Sequence, residues 1–135
     1  MNRWLFKTDP ETYSWKDLSS KKSERWDGVS NNLALKHLRS IQKNDEILIY
    51  HTGDDKSVVG IAKAVSNPYP DPAEKNSKLT VIDITPVRFL IKPVPLSEIK
   101  AVPKLKSWEL VRLGRLSVMP VSEIQWKEVL HLSSF

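Results

Sequence analysis

Glu46-Ile47-Leu48-Ile49-Tyr50-His51-Thr52-Gly53-Asp54-Asp55 precedes, after two further residues, Val58-Val59-Gly60-Ile61-Ala62-Lys63-Ala64-Val65. In the first run Ile47 and Ile49 fall in one phase of a two-residue repeat, and Leu48 and Tyr50 in the other, which predicts a strong strand over 46–50. Polar residues with Gly53 among them predict a hairpin loop over 51–55, and 58–65 is the returning strand. A hairpin at the centre of the chain sets the expectation for the rest: a sheet built from neighbouring, antiparallel strands.

Working back toward the N-terminus, Arg3-Trp4-Leu5-Phe6-Lys7-Thr8 reads as a first strand that Pro10 ends. Ser14-Trp15-Lys16-Asp17-Leu18 predicts one short helical turn, 21–24 a polar surface loop, and Trp26-Asp27-Gly28 a turn in which Gly28 can take positive φ. Ser30 is placed to cap a helix running to about Ile41, with Ala34, Leu35, Leu38 and Ile41 at helical spacing, and Lys43-Asn44-Asp45 closes it.

Working forward, Asn67-Pro68-Tyr69-Pro70-Asp71-Pro72 predicts a stiff connection, because three prolines remove ladder donors. Residues 79–91 are β-rich and long for one flat strand, so Pro86 predicts a bend or bulge; Pro93 and Pro95 are expected to end it. Short helices are expected over 96–101 and 107–113. Leu116-Ser117-Val118-Met119 predicts a last strand stopped by Pro120. A final helix is signalled by Ser122 and Gln125 as a capping box and by Val121 and Trp126 as a hydrophobic staple, with Trp126, Val129 and Leu130 as its apolar stripe. No repeat or linker interrupts the pattern. The expectation is one α+β domain over 1–135: five or six strands in a twisted, antiparallel, barrel-like sheet flanked by several helices.

Composition sets limits on function. The chain has 135 residues, 40% hydrophobic and 27% charged, which is the profile of a globular domain. No apolar run approaches the ~20 residues of a bilayer-spanning helix, and Lys7 and Asp9 break up any signal-peptide core. No membrane partner is expected. The absence of cysteine excludes disulfides, thiol nucleophiles and cysteine-ligated metals, and a cytoplasmic location is the default reading. Of the net charge of +5, all resides between Ile84 and Leu116, where Arg88, Lys92, Lys100, Lys104, Lys106, Arg112 and Arg115 face only Glu98 and Glu109. That stretch is either a solvated surface or a positive face for phosphates.

Catalytic signatures are scarce. There is no Gly-rich phosphate loop, no H-E-x-x-H and no G-x-S-x-G. His37, His51 and His131 have no metal-ligand spacing, so neither a metal nor a cofactor is expected. His51 opens the hairpin loop beside Thr52, Asp54 and Asp55; it suits acid–base chemistry, hydrogen bonding in a pocket, or plain turn chemistry. Five tryptophans are many for this length. Trp126 has a core position, Trp4 alternates with Phe6, and Trp15 and Trp108 read as half-buried covers. Trp26, in a turn between Arg25 and Asp27, is either a lid on the core or a stacking platform for a flat ligand.

Four blocks together resemble the EVE domain family: Trp4-Leu5-Phe6-Lys7-Thr8-Asp9-Pro10, Trp26-Asp27-Gly28-Val29-Ser30-Asn31-Asn32, Ile49-Tyr50-His51-Thr52-Gly53 and Arg115-Leu116-Ser117-Val118-Met119-Pro120-Val121. Val59-Gly60-Ile61-Ala62 and Tyr69-Pro70-Asp71 fit between them in the family order. Ser30 departs from the pattern, standing where the family has arginine, and the 72–78 loop is short, as in a compact bacterial version. The resemblance implies a PUA-like fold, related to the YTH domains that read a methylated adenine in RNA. It implies a non-catalytic module that recognises a modified base, notably a modified cytosine such as 5-methylcytosine, in DNA or RNA.

For such a reader the candidate base-binding residues are Trp26 as stacking wall; Lys7, Thr8 and Asp9 at the end of the first strand; Asp27, Asn31 and Asn32 near a helix N-terminus; Tyr50, His51 and Thr52 at the neighbouring strand end; and Ser117 and Met119. Arg88, Lys92, Lys104, Lys106, Arg112 and Arg115 are the candidate phosphate contacts. Two other classes stay open: an enzyme acting on nucleic acid or a nucleotide through His51 with Asp54 or Asp9, and a protein-interaction adaptor using a tryptophan patch.

Overall fold

The central hairpin forms where its pattern places it. In the computed structural model, which describes residues 2–75 and 78–134, β3 (Glu46–His51) and β4 (Ser57–Ala64) pair antiparallel, with Ile47 opposite Ala62 and Leu48 opposite Ile61. Positions 76 and 77 of the short 72–78 loop lie outside the described residues. Nearly every side chain of both strands is buried, so the hairpin is the middle of the core.

β1 (Arg3–Thr8) lies on the other side of β3 and runs parallel to it, from Arg3 opposite Glu46 to Thr8 opposite His51. This corrects the expectation of a wholly antiparallel sheet. The chain between them carries α1 (Trp15–Ser19), β2 (Glu24–Trp26) and α2 (Asn32–Ser40), which is ample for the long crossover that a parallel pair needs. β7 (Val118–Val121) pairs antiparallel on the outer edge of β1. β6 (Thr80–Pro95) pairs with β4, with β2, and with the two-residue β5 (Tyr69–Pro70). The path of the sheet is β2-β6-β4-β3-β1-β7, with β5 off it. The class is α+β, a mixed sheet curled strongly into a half-barrel. α3 (Leu96–Lys100), a 3-10 turn at Pro103–Leu105, α4 (Glu109–Arg112) and α5 (Glu123–Ser133) complete the chain.

Local chemistry explains most boundaries. Ser14 and Ser122 each close a reciprocal capping box, with Asp17 and Gln125 respectively. Asn31, not Ser30, caps α2, its Oδ1 accepting from the Ala34 N–H at 3.0 Å. The segment at 24–26 is a strand rather than a loop and turn, because it finds a ladder along β6. β6 continues through Pro93 to Pro95, accommodating its prolines by two register slips against β4, one beside the Ala62–Pro86 pair. The last strand begins at Val118 and includes Pro120. Trp15 and Trp108 are fully buried rather than half-buried.

A glycine lets α1 dock on the bent sheet. A Cβ on Gly60 would come within 2.6 Å of the Trp15 ring. Trp15 also packs 5.4 Å from Phe89, centroid to centroid, and its backbone N–H donates to Nε2 of His51 at 2.9 Å. At the opposite end, the buried Asp45 carboxylate accepts from the Trp4 indole (3.0 Å) and from the backbone N–H groups of Gln42 (2.9 Å) and Asn2 (3.1 Å). Three donors on one carboxylate pin the start of β1 to the start of β3.

The close approach at Gly60 is testable. Gly60→Ala should destabilise the domain by about 1–3 kcal/mol, the usual range for overpacking, read as a lower urea midpoint and a changed tryptophan near-ultraviolet signal. An unchanged midpoint would show that Trp15 does not sit against Gly60.

Candidate functional site

Curling brings β1 and β2 face to face, although they are not neighbours in the sheet. The Phe6 and Trp26 rings meet across this seam at 5.4 Å. Beyond that contact the seam opens into a cavity of about 520 Å³, within the roughly 300–1,000 Å³ of small-ligand sites.

Its first wall is the end of β1 and the loop after it. The Asp9 carbonyl accepts from the N–H groups of Thr12 (3.0 Å) and Tyr13 (2.8 Å), and the Asp9 carboxylate accepts from the Glu11 N–H (3.0 Å). The Thr8 hydroxyl donates to the Tyr13 carbonyl at 2.7 Å. This tight return places Tyr13 back over the mouth. Lys7 donates through Nζ to the Gly114 carbonyl (2.9 Å) and lies 5.7 Å from the centroid of the Tyr50 ring. Burial lowers its pKa from the usual lysine value.

The second wall is β2. Glu24 and Trp26 share one face of the strand, and both line the cavity. The Tyr13 hydroxyl donates to Oε2 of Glu24 at 2.8 Å, and its ring meets the Trp26 ring edge-on at 6.0 Å and 79°. Burial, then the hydrogen bond and charge of Glu24, push the Tyr13 hydroxyl far up from its ordinary value. Arg25 points its guanidinium toward Tyr69, whose hydroxyl raises its pKa, with Asp71 and Asp83 adding to the effect. Past β2 the chain turns at Gly28, at φ +77°, a region that favours glycine. Ser117 completes the lining, and its carbonyl accepts from the Lys7 N–H at 2.9 Å.

Of the residues expected in a binding pocket, Lys7, Thr8, Asp9, Trp26, Asp27 and Ser117 converge on this cavity. The others have different positions. Trp26 itself is only 8% exposed, so most of its ring is core. Asn31 is spent on the α2 cap, and Asn32 is exposed in the first turn without lining the cavity. Tyr50 is buried beneath Lys7. Thr52 ties the strand ends together, its N–H donating to the Thr8 carbonyl at 2.9 Å. Met119, opposite Leu5 in the β1–β7 ladder, is fully buried.

His51 is also buried, and both of its ring nitrogens are engaged. Since Nε2 accepts from Trp15, Nδ1 carries the proton and donates to Asp55 at 3.0 Å. Its carboxylate partner is Asp55, not Asp54 or Asp9, and its geometry is that of a residue holding α1 in place.

Tyr13, Thr12, Glu24, Arg25, Gly28 and Val29 also line the cavity without having been expected there. Tyr13 was findable from the Asp9-Pro10 turn, which sends the chain back on itself. Glu24 was findable from its i, i+2 relation to Trp26 once 24–26 is a strand.

The basic residues divide. Arg112, whose Nε donates to the Ser107 carbonyl at 2.8 Å, and the exposed Arg115 flank Gly114, which holds Lys7 at the cavity. Lys92 and Lys104 instead face Glu98 (3.8 Å) and Glu128 (3.5 Å) on α3 and α5. Arg88 is exposed on β6 and Lys106 is exposed after the 3-10 turn. Among the described residues no group of three or more His, Asp or Glu side chains is placed to hold a metal, and no helix is long and apolar enough to cross a membrane.

A curled, open sheet with a cavity at its seam defines a PUA-like architecture, shared at the level of fold alone with ASCH from Zymomonas mobilis (TM-score 0.65, 14% identity, covering 97% of this chain and 95% of that one). The EVE domain family matches residues 2–132, and the chain belongs to it. Thymocyte nuclear protein 1 of Mus musculus is 31% identical over 97% of this chain and 73% of its own length. Among solved structures, protein Atu2648 from Agrobacterium tumefaciens superposes with a TM-score of 0.95 at 35% identity (100% of this chain, 94% of that one). The human THYN1 protein in complex with 5-methylcytosine containing DNA superposes at 0.91 with 28% identity (100% and 99%).

The tyrosine hydroxyls yield a pH prediction. Tyr13, Tyr50 and Tyr69, all the tyrosines of the chain, are raised above 10.0, in each case chiefly by burial. The unfolded chain ionises near the ordinary value, so this contribution to stability is intact below about pH 10 and is lost as pH rises beyond it. Tyrosinate absorbance should therefore appear together with unfolding, and Tyr13→Phe should flatten the alkaline loss of stability. A tyrosine that ionises at its ordinary value in the folded protein would contradict the geometry.

Proposed function

We propose that this chain is a non-catalytic reader of nucleic acid that takes one modified base, a modified cytosine such as 5-methylcytosine, into the seam cavity. The observation that carries the reading is the composition of that cavity: two crossed aromatic rings beside an ammonium group, hydroxyls and carboxylates, in a volume that suits one flat polar ligand. The human relative crystallised with 5-methylcytosine containing DNA supports the choice of base.

A base leaves its stack at a cost of a few kcal/mol in duplex and less in a single strand. Stacking on the accessible Tyr13 face offsets roughly 1–3 kcal/mol of this, and Trp26 meets the base edge-on. Lys7 donates, and Asp9, Glu24 and Asp27 accept, as does the Thr8 hydroxyl oxygen, whose hydrogen goes to the Tyr13 carbonyl. Tyr50 and Thr52 act from behind by holding Lys7 and Thr8. Arg112 and Arg115, beside the mouth, meet phosphates and supply affinity without base identity. Burial of one methyl contributes only about 0.8 kcal/mol, so preference over the unmodified base is modest.

Titration of fluorescent strands carrying cytosine, 5-methylcytosine, 5-hydroxymethylcytosine or N6-methyladenine, at two salt concentrations, tests the reading. One modified strand should bind best, all binding should weaken with salt, and Tyr13→Ala should lower affinity about tenfold through lost stacking. Equal binding of every strand, unaffected by Tyr13→Ala, would leave only a phosphate-binding surface and overturn it.

A further inference from the structure

Glu24 is, with Asp9 and Asp27, a cavity carboxylate that keeps an acceptor oxygen unoccupied among the described residues, and it alone of the three accepts from the Tyr13 hydroxyl. Tyr13 occupies Oε2, while Oε1 accepts from no group among the described residues. Its backbone is fixed by the β2–β6 ladder opposite Ile84, and the Tyr13 hydroxyl fixes its carboxylate. A carboxylate accepts and does not donate. Whatever base edge meets Oε1 must therefore bring a hydrogen.

5-Methylcytosine and thymine share ring, methyl group and size, so neither stacking on Tyr13 nor a space for the methyl tells them apart. They differ at the pairing edge: at C4 cytosine presents an amine where thymine presents a carbonyl oxygen, and at N3 cytosine presents an acceptor where thymine presents an N–H, so the selection below is made by a carboxylate that faces C4. Beside Glu24 the amine completes a charge-assisted hydrogen bond, and the carbonyl sets two acceptors against each other.

We infer that Glu24 is the specificity-determining residue of the cavity, accepting from the exocyclic amine of the bound base and excluding thymine and uracil. The inference rests on the base-reading function proposed above and adds the amine-bearing class of ligand and the group that selects it. Tyr13 is a positioning residue for this contact, since it holds the carboxylate in one rotamer.

Competition between single strands carrying 5-methylcytosine or thymine is the test. The native chain should prefer 5-methylcytosine by about tenfold or more, in line with a good base-edge contact. Glu24→Gln keeps the shape and the Tyr13 contact, but its amide can turn a donor toward the thymine carbonyl. The preference should fall to within about threefold. A strand carrying 5-methyl-2-pyrimidinone, in which hydrogen replaces the amine, tests the same contact without any variant and should bind the native chain about tenfold more weakly than 5-methylcytosine. Unchanged preference in Glu24→Gln, or equal binding of the pyrimidinone strand, would overturn the role of Glu24 while leaving the reader intact. Native binding of 5-methylcytosine and thymine alike would do the same. Absence of binding to any modified strand would overturn both.

Discussion

The contact between Phe6 and Trp26 joins two strands that no hydrogen bond joins. β1 and β2 stand four steps apart along the sheet, and only its curl brings them together. Where ladders end, packing has to seal the barrel, and two large rings do so with area and with a favourable tilted geometry. Losing a ring of this size from the core costs roughly 3–5 kcal/mol, so Trp26 acts first as a clasp and second as a wall. The cavity exists because the seal stops two residues short of the end of β1: after Phe6 the chain presents Lys7, Thr8 and then Asp9, which want water or a polar ligand.

The end of β3 beside Thr8 supports this arrangement. Trp15 uses the missing side chain of Gly60 to lie flat on β4, and His51 holds its backbone by a neutral imidazole nitrogen. The indole N–H of Trp15 has no acceptor among the described residues, a penalty of about 1–3 kcal/mol that close packing must outweigh. Through His51 and Thr52 the same hairpin end holds Thr8, so α1 and the cavity mouth are braced by neighbouring residues of one loop.

Legibility in the sequence followed the range of the interactions. The capping box at Ser122, the β1 boundaries and the 46–65 hairpin depend on residues within a turn or two, and the pattern contained them. The parallel pairing of β1 with β3 depends on a crossover of whole elements, which periodicity does not show. β2 is three residues long and becomes a strand only because β6 passes beside it. For the site, the block around Lys7, Thr8 and Asp9 and the Trp26-Asp27 pair led to the cavity. The neighbouring blocks containing Tyr50, His51 and Met119 led instead to residues that brace it, because a short sequence block carries supporting and lining residues alike. Tyr13 and Glu24 lay outside every block, and their hydrogen bond is visible only once the turn after β1 and strand β2 are folded together.

The position of β1 has a consequence for how the chain assembles. Its two flanks are occupied by β3, starting at Glu46, and by β7, which returns to Arg3 only at Val121. Among the described strands, the earliest in the sequence is thus the one whose second edge is closed by the latest. Until β7 pairs, an apolar strand containing Trp4, Leu5 and Phe6 has one open edge, and the Ser117 side of the cavity is missing. The cavity is therefore closed only when β7 pairs with β1, and a pairing between such distant parts of the chain is of the kind that makes folding slow.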